Sequence, residues 1–571
     1  MVYLKNRIAR FSRDVLNRHT GATYPDSSVT FGYDAIGRLT SVSDSVGGTI
    51  TWTYDTVSSG HHPRVQETTT PGTVTVEYDE IGRRLKLSAT SQTDVTYTYD
   101  KNSRLKTVTQ GSQTVTVAYD DAGRRTSLTY PNGVVTSYGY DNANRLLSIN
   151  HIKTPTTIEA LTYQNDAAGN RITLTRANAA ASLIPQAVTN TAFDAANEQT
   201  RFNSASTNLV YDNNGNLTSF TDGAGTTTYT WNARNQLTGI SGPSLSASFL
   251  YDGLGRRTSK TINSATTGFW YDGADVLSEL SSGTPTATYI RSLSIDEPFI
   301  RKQSGGDEFY QTDALGTTLT LTDGSGVSST TYTQEPFGKT TKAGTSTNTF
   351  QYTGREEDGT GVMYYRARYY SPQIQRFLGE DPLGLGGGDL NAYAYTFNSP
   401  INHSDPSGEI VPALLAACTV GGLFSAAIDA IEILGGRKDV DLVSDVALGC
   451  VAGAAGLGAV RALPKLYAGL VGLGERGSVP LFFEKSVHAT ERLAIRENAV
   501  TDEMIQNAIA KGTAYWNPVH GSINYILEGG AGAGRHLLVG INAAEGKITT
   551  VISGTRLSRL MRSYMAPISL F

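Results

Sequence analysis

This sequence predicts a mainly β chain, assembled as a continuous sheet from a short repeat. Three observations carry that prediction. A unit beginning with an aromatic residue and Asp, with Gly three residues after the Asp, recurs at a period of roughly 20 residues. The segments between these units alternate in β-formers, as in Thr73-Val74-Thr75-Val76-Glu77-Tyr78. Gly (60 residues) and Tyr (30) are plentiful while charged residues make up only 17%, a composition of short strands and tight turns rather than helices.

The repeat is clearest at Tyr33-Asp34-Ala35-Ile36-Gly37-Arg38-Leu39, Tyr78-Asp79-Glu80-Ile81-Gly82-Arg83, Tyr119-Asp120-Asp121-Ala122-Gly123-Arg124, Tyr211-Asp212-Asn213-Asn214-Gly215-Asn216 and Tyr251-Asp252-Gly253-Leu254-Gly255-Arg256. Weaker copies start at Tyr54, Tyr99, Tyr140, Phe193 and Trp231. Each reads as a strand ending in an aromatic, a turn, and a second strand. The Asp accepts hydrogen bonds from turn amides, and the Gly supplies a positive φ. One hairpin cannot bury its apolar face, so neighbours must stack into a continuous sheet. Taken singly, a Tyr-Asp pair is a turn device, and nothing in the repeats is catalytic in type.

These residues resemble the Rhs/YD-repeat proteins over about residues 30–408. The resemblance implies a spiral β-sheet shell, a hollow cocoon that encloses a toxin. The run here is short for a complete cocoon.

Residues 310–409 change character. They contain Glu335-Pro336-Phe337-Gly338, Phe350-Gln351-Tyr352-Thr353-Gly354-Arg355, Met363-Tyr364-Tyr365-Arg366-Ala367-Arg368-Tyr369-Tyr370, Arg376-Phe377-Leu378-Gly379-Glu380-Asp381-Pro382-Leu383-Gly384 and Asp405-Pro406-Ser407-Gly408. This segment resembles the Rhs-associated core domain. The resemblance implies a plug for one end of the shell and, in many members, an aspartyl autoprotease that frees the toxin just after the second Asp-Pro-x-Gly. Such chemistry needs two adjacent carboxyls, one protonated and one ionised, to activate a water. Asp381 and Asp405 match the family's motif aspartates, and Arg376 is placed in sequence to tune the first. Glu409 stands where self-cleaving members carry Leu. Autoproteolysis and a plain pair of Asp-Pro turns therefore both remain open.

Residues 410–475 are rich in Ala, Gly, Leu and Val, and read as two apolar helices with small residues suited to close packing. Either run is marginal in length for spanning a bilayer. The segment is a greasy linker or a pre-toxin element that makes transient membrane contact.

Residues 476–571 read as a small α+β domain. A helix is expected over Glu484 to Asn498 and another from a Thr501 cap to Lys511. Strands are expected around Ala514–Trp516, Ser522–Leu527, His536–Asn542 and Lys547–Ile552. His488-Ala489-Thr490-Glu491-Arg492, Arg496 and the strand at Ile548-Thr549-Thr550-Val551 resemble the DUF4258-type toxin domain, grouped with the barnase/RelE-like RNase fold, which cleaves RNA without metal. His488, Arg492 and Arg496 recur at steps of four, on one helix face. A His there can move the ribose 2′-OH proton, and Arg can hold the phosphate. Thr550 and Arg535 add a hydrogen bond and a positive charge, and His520 is a rival proton carrier. The plain alternative is a solvated helix face.

The function expected is a delivered toxin: a metal-independent ribonuclease tip without cofactor, encapsulated by the shell and released by autoproteolysis. The implied partners are a cognate immunity protein, the RNA substrate and a secretion machinery. The first ten residues carry no apolar core of signal-peptide length, so the expected route is secreted or cell-surface delivery without a Sec signal, with the tip acting in the target-cell cytoplasm. The net charge of −5 gives no global basic field for nucleic acid. Cys418 and Cys450 form neither a disulfide framework nor a CxxC metal signal. The tip lacks Cys, which excludes a zinc deaminase of His-x-Glu/Pro-Cys-x-x-Cys type. The alternatives are a toxin of another enzymatic class, or a non-enzymatic surface scaffold binding carbohydrate or protein.

Overall fold

The computed structural model describes residues 2–4, 7–55, 64–179, 187–387, 389 and 391–409, together with the backbone of five further strands between residues 513 and 567. The expected apolar helices, both cysteines, and the helices over 484–498 and 501–511 lie outside the described residues.

Most of the described chain is antiparallel β-sheet. Seventeen strands, from Val2–Leu4 to Arg171–Arg176, form a first sheet in which each pairs with the next. Fourteen strands, from Asn208–Tyr211 to Thr340–Gly344, form a second meander of the same kind. A small hairpin, Ala192–Phe193 with Gln199–Arg201, lies between them in sequence. Four short strands follow: Glu356–Glu357, Met363–Tyr365, Arg368–Ser371 and Arg376–Phe377. The change of character read at residue 310 is therefore a change of sequence within one continuing sheet. The break in architecture comes after Gly344. Among the described residues the only helical pieces are short 3-10 turns, and none is long and apolar enough to cross a membrane.

The repeat turn explains why the sheets form. Around Asp34, Gly37 N–H donates to the Asp34 carbonyl (3.1 Å), and Asp34 N–H to that of Arg38 (2.9 Å). Asp34 Oδ1 accepts from Ile36 N (3.1 Å) and Arg38 N (2.8 Å). Arg38 Nε donates to Asp34 Oδ2 at 2.6 Å. Gly37 takes φ +89°, and the register slips by one residue at Tyr33, as in a turn closed by a bulge. The same Arg38 stacks over Tyr54 of the following strand (4.3 Å), whose hydroxyl donates to the Leu39 carbonyl at 2.7 Å. Each arginine thus closes its own turn and clamps the next unit. The weaker copies at Tyr99 and Tyr140 hold as well: Ser103 and Asn144 take the positive φ in place of Gly. Copies also occur where no aromatic precedes the Asp, at Asp14 after Arg13 and at Asp166 after Asn165.

The two sheets pack on each other through an apolar layer that includes Val108, Val115 and Leu128 from the first and Trp270, Ile290 and Phe299 from the second. Alternation along Ala265–Asp272 sends Trp270 to that layer and its neighbours Phe269 and Tyr271 to another with Tyr310, Tyr332 and Phe350. Ion pairs cross between the sheets: Arg84–Asp272 (2.5 Å), Arg234–Asp44 (2.7 Å), Arg256–Glu67 (2.8 Å) and Arg125–Glu297.

The chain divides into two compact units, Met1–Asp439 and Val440–Phe571. In the second, Thr513–Asn517, Ser522–Leu527, His536–Asn542 and Lys547–Gly554 form the expected meander, and Ala566–Pro567 adds to the far side of Thr513–Asn517.

Two stability predictions follow from this packing. Arg256 is 6% exposed and pairs with both Asp252 and Glu67, so Arg256→Ala strands two buried carboxylates and should cost about 3 kcal/mol. Arg124, in a more exposed copy of the same clamp, should cost about 1 kcal/mol on Arg124→Ala. Thermal melts of the two variants check the order.

His151 bridges the sheets. Its Nε2 faces the Thr312 carbonyl at 3.1 Å and so carries the hydrogen, while Nδ1 accepts from the Thr136 hydroxyl at 2.8 Å. Burial pushes this imidazole down to about 4 from its ordinary 6.5. Its folded value lies below its unfolded one. The stability contributed by the neutral ring is therefore complete above about 6.5 and lost as pH falls towards about 4, up to about 3 kcal/mol. Melting curves across that window should fall for the wild type and flatten for His151→Gln.

Candidate functional site

The site forms where the short strands of the junction meet the two Asp-Pro turns. Met363–Tyr365 and Arg368–Ser371 make a hairpin whose connection is only Arg366 and Ala367, with Arg366 at φ +60°. Tyr365 and Tyr370 of this hairpin pack with Tyr352, Phe377 and Tyr395 into one buried cluster, while Tyr364 and Tyr369 join another with Phe249 and Tyr251 of the second sheet, and together these fix the backbone. Ala367 N–H donates to the Ser407 carbonyl at 3.0 Å, which brings the second Asp-Pro turn to the hairpin. Arg366 donates to the Pro406 carbonyl and pairs with Asp296 (2.7 Å) and Asp275 (3.0 Å) of the second sheet, anchoring that turn.

Arg368 is the centre of the site. Its Nη2 lies 3.0 Å from Asp381 Oδ2 and 3.3 Å from Asp405 Oδ2, so one nitrogen joins the two motif aspartates. Its Nη1 donates to the Ala392 carbonyl at 2.9 Å, and its Nε to the Gly408 carbonyl. The guanidinium lies over the Phe377 ring at 3.6 Å. Asp405 Oδ1 accepts from Gly408 N (2.9 Å), Glu409 N (3.2 Å) and Ser407 Oγ (3.2 Å). Asp381 Oδ1 accepts from Leu383 N at 2.8 Å.

The peptide between Gly408 and Glu409 is therefore held at both ends, its carbonyl by Arg368 and its N–H by Asp405. Gly408 is obligatory there: φ is +76°, and a Cβ would lie 2.3 Å from the Tyr365 carbonyl oxygen. A pocket beside the two aspartates is lined by Arg368, Asp381, Asp389, Asn391, Phe397 and Asp405.

Electrostatics separate the carboxyls. Burial pushes Asp381 up to about 6 against the opposing pull of Arg368, with Asp405 adding to the rise. Burial, reinforced by Asp381 and Asp405 and opposed by Arg368, pushes Glu409 up to about 7. Burial also lowers Arg368 from its ordinary value, against the three carboxylates that favour its charge.

The structure thus brings Asp381 and Asp405 together, as their motifs predict. It gives the charge-tuning part expected of Arg376 to Arg368. Arg376 points elsewhere, stacking over Phe193 at 4.4 Å and donating to Asn391 at 3.2 Å. The run Tyr365-Arg366-Ala367-Arg368-Tyr369 was the signal for this, since two arginines amid buried tyrosines require partners. Of the tip residues, His488, Arg492, Arg496, His520 and Arg535 lie outside the described residues. Thr550 lies in Lys547–Gly554, opposite Gly540.

Fold and site together define a class: a repeat-built β-sheet protein closed by a tyrosine-rich junction that carries a carboxylate site. The RHS Repeat family model matches residues 119–156 and 211–247. The tRNA3(Ser)-specific nuclease WapA of Bacillus spizizenii is 29% identical over 262 residues, 44% of this chain and 11% of that protein. The toxin protein Tse5 of Pseudomonas aeruginosa is 37% identical over 110 residues, 19% of this chain and 8% of that protein. The chain thus spans about a tenth of the length of these relatives. A crystal structure of TcdB2-TccC3 shares the fold, with a TM-score of 0.50 at 18% identity over 70% of this chain and 28% of that one. The chain thus carries RHS repeats and is similar to toxins built on them.

Proposed function

We propose that this chain is the shell, release site and effector tip of a toxin delivered to other cells, and that it cuts itself between Gly408 and Glu409. The observation that carries the release step is the grip on that one peptide bond, with Arg368 on its carbonyl and Asp405 on its nitrogen. Water adds to the Gly408 carbonyl carbon. Arg368 Nε stabilises the oxyanion. Asp405 takes a proton from the water and passes one to the Glu409 nitrogen. The C–N bond breaks, leaving a carboxyl on Gly408 and a free amine on Glu409. Asp381 is the member of the pair that keeps a proton towards neutral pH.

For the tip, we infer a metal-independent ribonuclease in which His488 moves the 2′-OH proton, Arg492 and Arg496 hold the phosphate, and Thr550 assists from the sheet. The four-strand meander supplies the strands such a domain would need, and a similar relative is named a tRNA nuclease. The shell would enclose this tip until release. A tightly binding immunity protein would protect the producer, with acidic groups opposite His488 and Arg492. A secretion machinery would deliver the chain, and the apolar segment would contact the target membrane in passage.

Intact mass of the purified full chain should show a fragment ending at Gly408. Asp381→Asn and Asp405→Asn should each slow its appearance at least about a hundredfold. An uncut wild type would refute release by this site. Induced expression of the full chain in bacteria should arrest growth with breakdown of total RNA, and His488→Ala should relieve both. Arrest with intact RNA would discard the ribonuclease and leave another toxin class. Growth unaffected by a folded chain would favour the inert scaffold.

A further inference from the structure

We propose that Thr396 is a positioning residue of the cleavage site, whose hydroxyl holds the attacking water against Asp381 and Asp405. The inference rests on the autoproteolytic reading above and adds to it a residue outside both aspartate motifs.

The pocket beside the two aspartates is the place for that water. It is small, with about 20 Å³ open to a water molecule, room for one. Arg368 and Asp405 line it and also grip the scissile peptide, the first through the Gly408 carbonyl and the second through the Glu409 nitrogen. A water here therefore lies against the side chains that hold the bond to be cut. A buried water is held by about three hydrogen bonds. The two carboxyls can accept its two hydrogens. A donor to its oxygen is still needed, and Arg368 is occupied by both aspartates and by the Ala392 and Gly408 carbonyls.

Thr396 carries the group that is missing. It lines the same pocket, is 4% exposed, and its Oγ1 is buried without a hydrogen-bond partner among the described residues. Of the buried side-chain atoms in that state, it alone belongs to a residue of this pocket. A buried hydroxyl without a partner is unfavourable, so such a group points to a bound molecule. The backbone around it is strained as well. Thr396, Phe397 and Asn398 take φ of +48°, +54° and +56°, a left-handed run without glycine that a β-branched side chain disfavours. The run is held by Asn398 N–H on the Tyr395 carbonyl and Ser399 N–H on the Thr396 carbonyl, both at 2.9 Å. Tyr395 is anchored in turn in the aromatic cluster. Thr353 takes the same conformation, at φ +49°, but its hydroxyl shares a hydrogen bond with that of Tyr365 at 2.8 Å. A threonine in such a bend can thus be satisfied within the fold, and Thr396 is not.

In the reaction the water accepts a hydrogen bond from the Thr396 hydroxyl and gives its own hydrogens to the carboxyls. One lone pair remains for the Gly408 carbonyl carbon. As that bond forms, a proton of the water passes to Asp405. Thr396 keeps its own proton throughout.

The test is the rate of self-cleavage in the full chain, made by cell-free synthesis, stopped, and followed with time by intact mass. Thr396→Val keeps the shape and removes the hydroxyl, and should slow cleavage at least about tenfold. Its melting temperature, measured in the uncut Asp381→Asn background, should hold, because the hydroxyl bonds no described protein group. Thr396→Ser retains a hydroxyl and should cleave within about threefold of the wild type. Cleavage of Thr396→Val at the wild-type rate, with Asp381→Asn still uncut, would overturn the inference and leave the autoprotease standing. Equal slowing by Thr396→Val and Thr396→Ser, with a lowered melting temperature, would overturn it too, making Thr396 a packing residue. A wild type that stays uncut would overturn both.

Discussion

The structure depends on one device, the aspartate–arginine turn clamped to the next tyrosine. A meander of this length has no crossover strand to fix its register. Each strand must be set by the one before. The Asp closes the turn through two amides and holds its own arginine, and the arginine lies on the aromatic ring of the following unit. Because the bulge recurs at Tyr33, Tyr78, Tyr119 and Tyr140, the hairpins closed by these turns slip by the same single residue. Alternation of buried and exposed positions therefore survives from strand to strand, as a continuous inner face requires.

The junction reuses this chemistry at higher stakes. Most arginines of the first sheet's turns lie partly in solvent, whereas those at the junction and facing it are fully buried. Arg257 is bound by Glu356 and Asp358 with Lys260 beside it, and Arg355 by Asp296. Burying so many charges is costly unless each finds its partner. The partners come from segments distant in sequence, so the ion pairs specify how the junction seats on the second sheet. Arg366 and Arg368 are two residues apart on opposite sides of a tight hairpin connection. The first ties the Asp405 turn to the sheet, and the second reads its carboxylate.

What was legible in the sequence divides along the same line. The repeat is local, so its turns, positive φ positions and strand spacing could be read directly, and the meander at residues 513–554 could be read from its β-formers. The copies at Asp14 and Asp166 escaped because Arg13 and Asn165 stand where the aromatic was sought, although the turn needs only the Asp and its fourth neighbour. The aspartates were legible through their Asp-Pro motifs. Their cation was not: Arg376 is nearer in sequence to Asp381, but Arg368 reaches Asp405 across 37 residues because the hairpin and the second turn are hydrogen-bonded together. Pairings made by tertiary folding leave no spacing to read.

Arginine in this site has two tasks that conflict. As a structural tie it should neutralise both aspartates and accept no change. As a catalytic group it should leave a proton in place and lend its charge to a new oxyanion. Arg368 divides the tasks among its nitrogens, Nη2 for the carboxylates, Nη1 for the Ala392 carbonyl and Nε for the Gly408 carbonyl. The planar fork lets it do so without moving, whereas a lysine would hold only one of these positions at a time. The cost is that Arg368 opposes the burial that keeps a proton on Asp381.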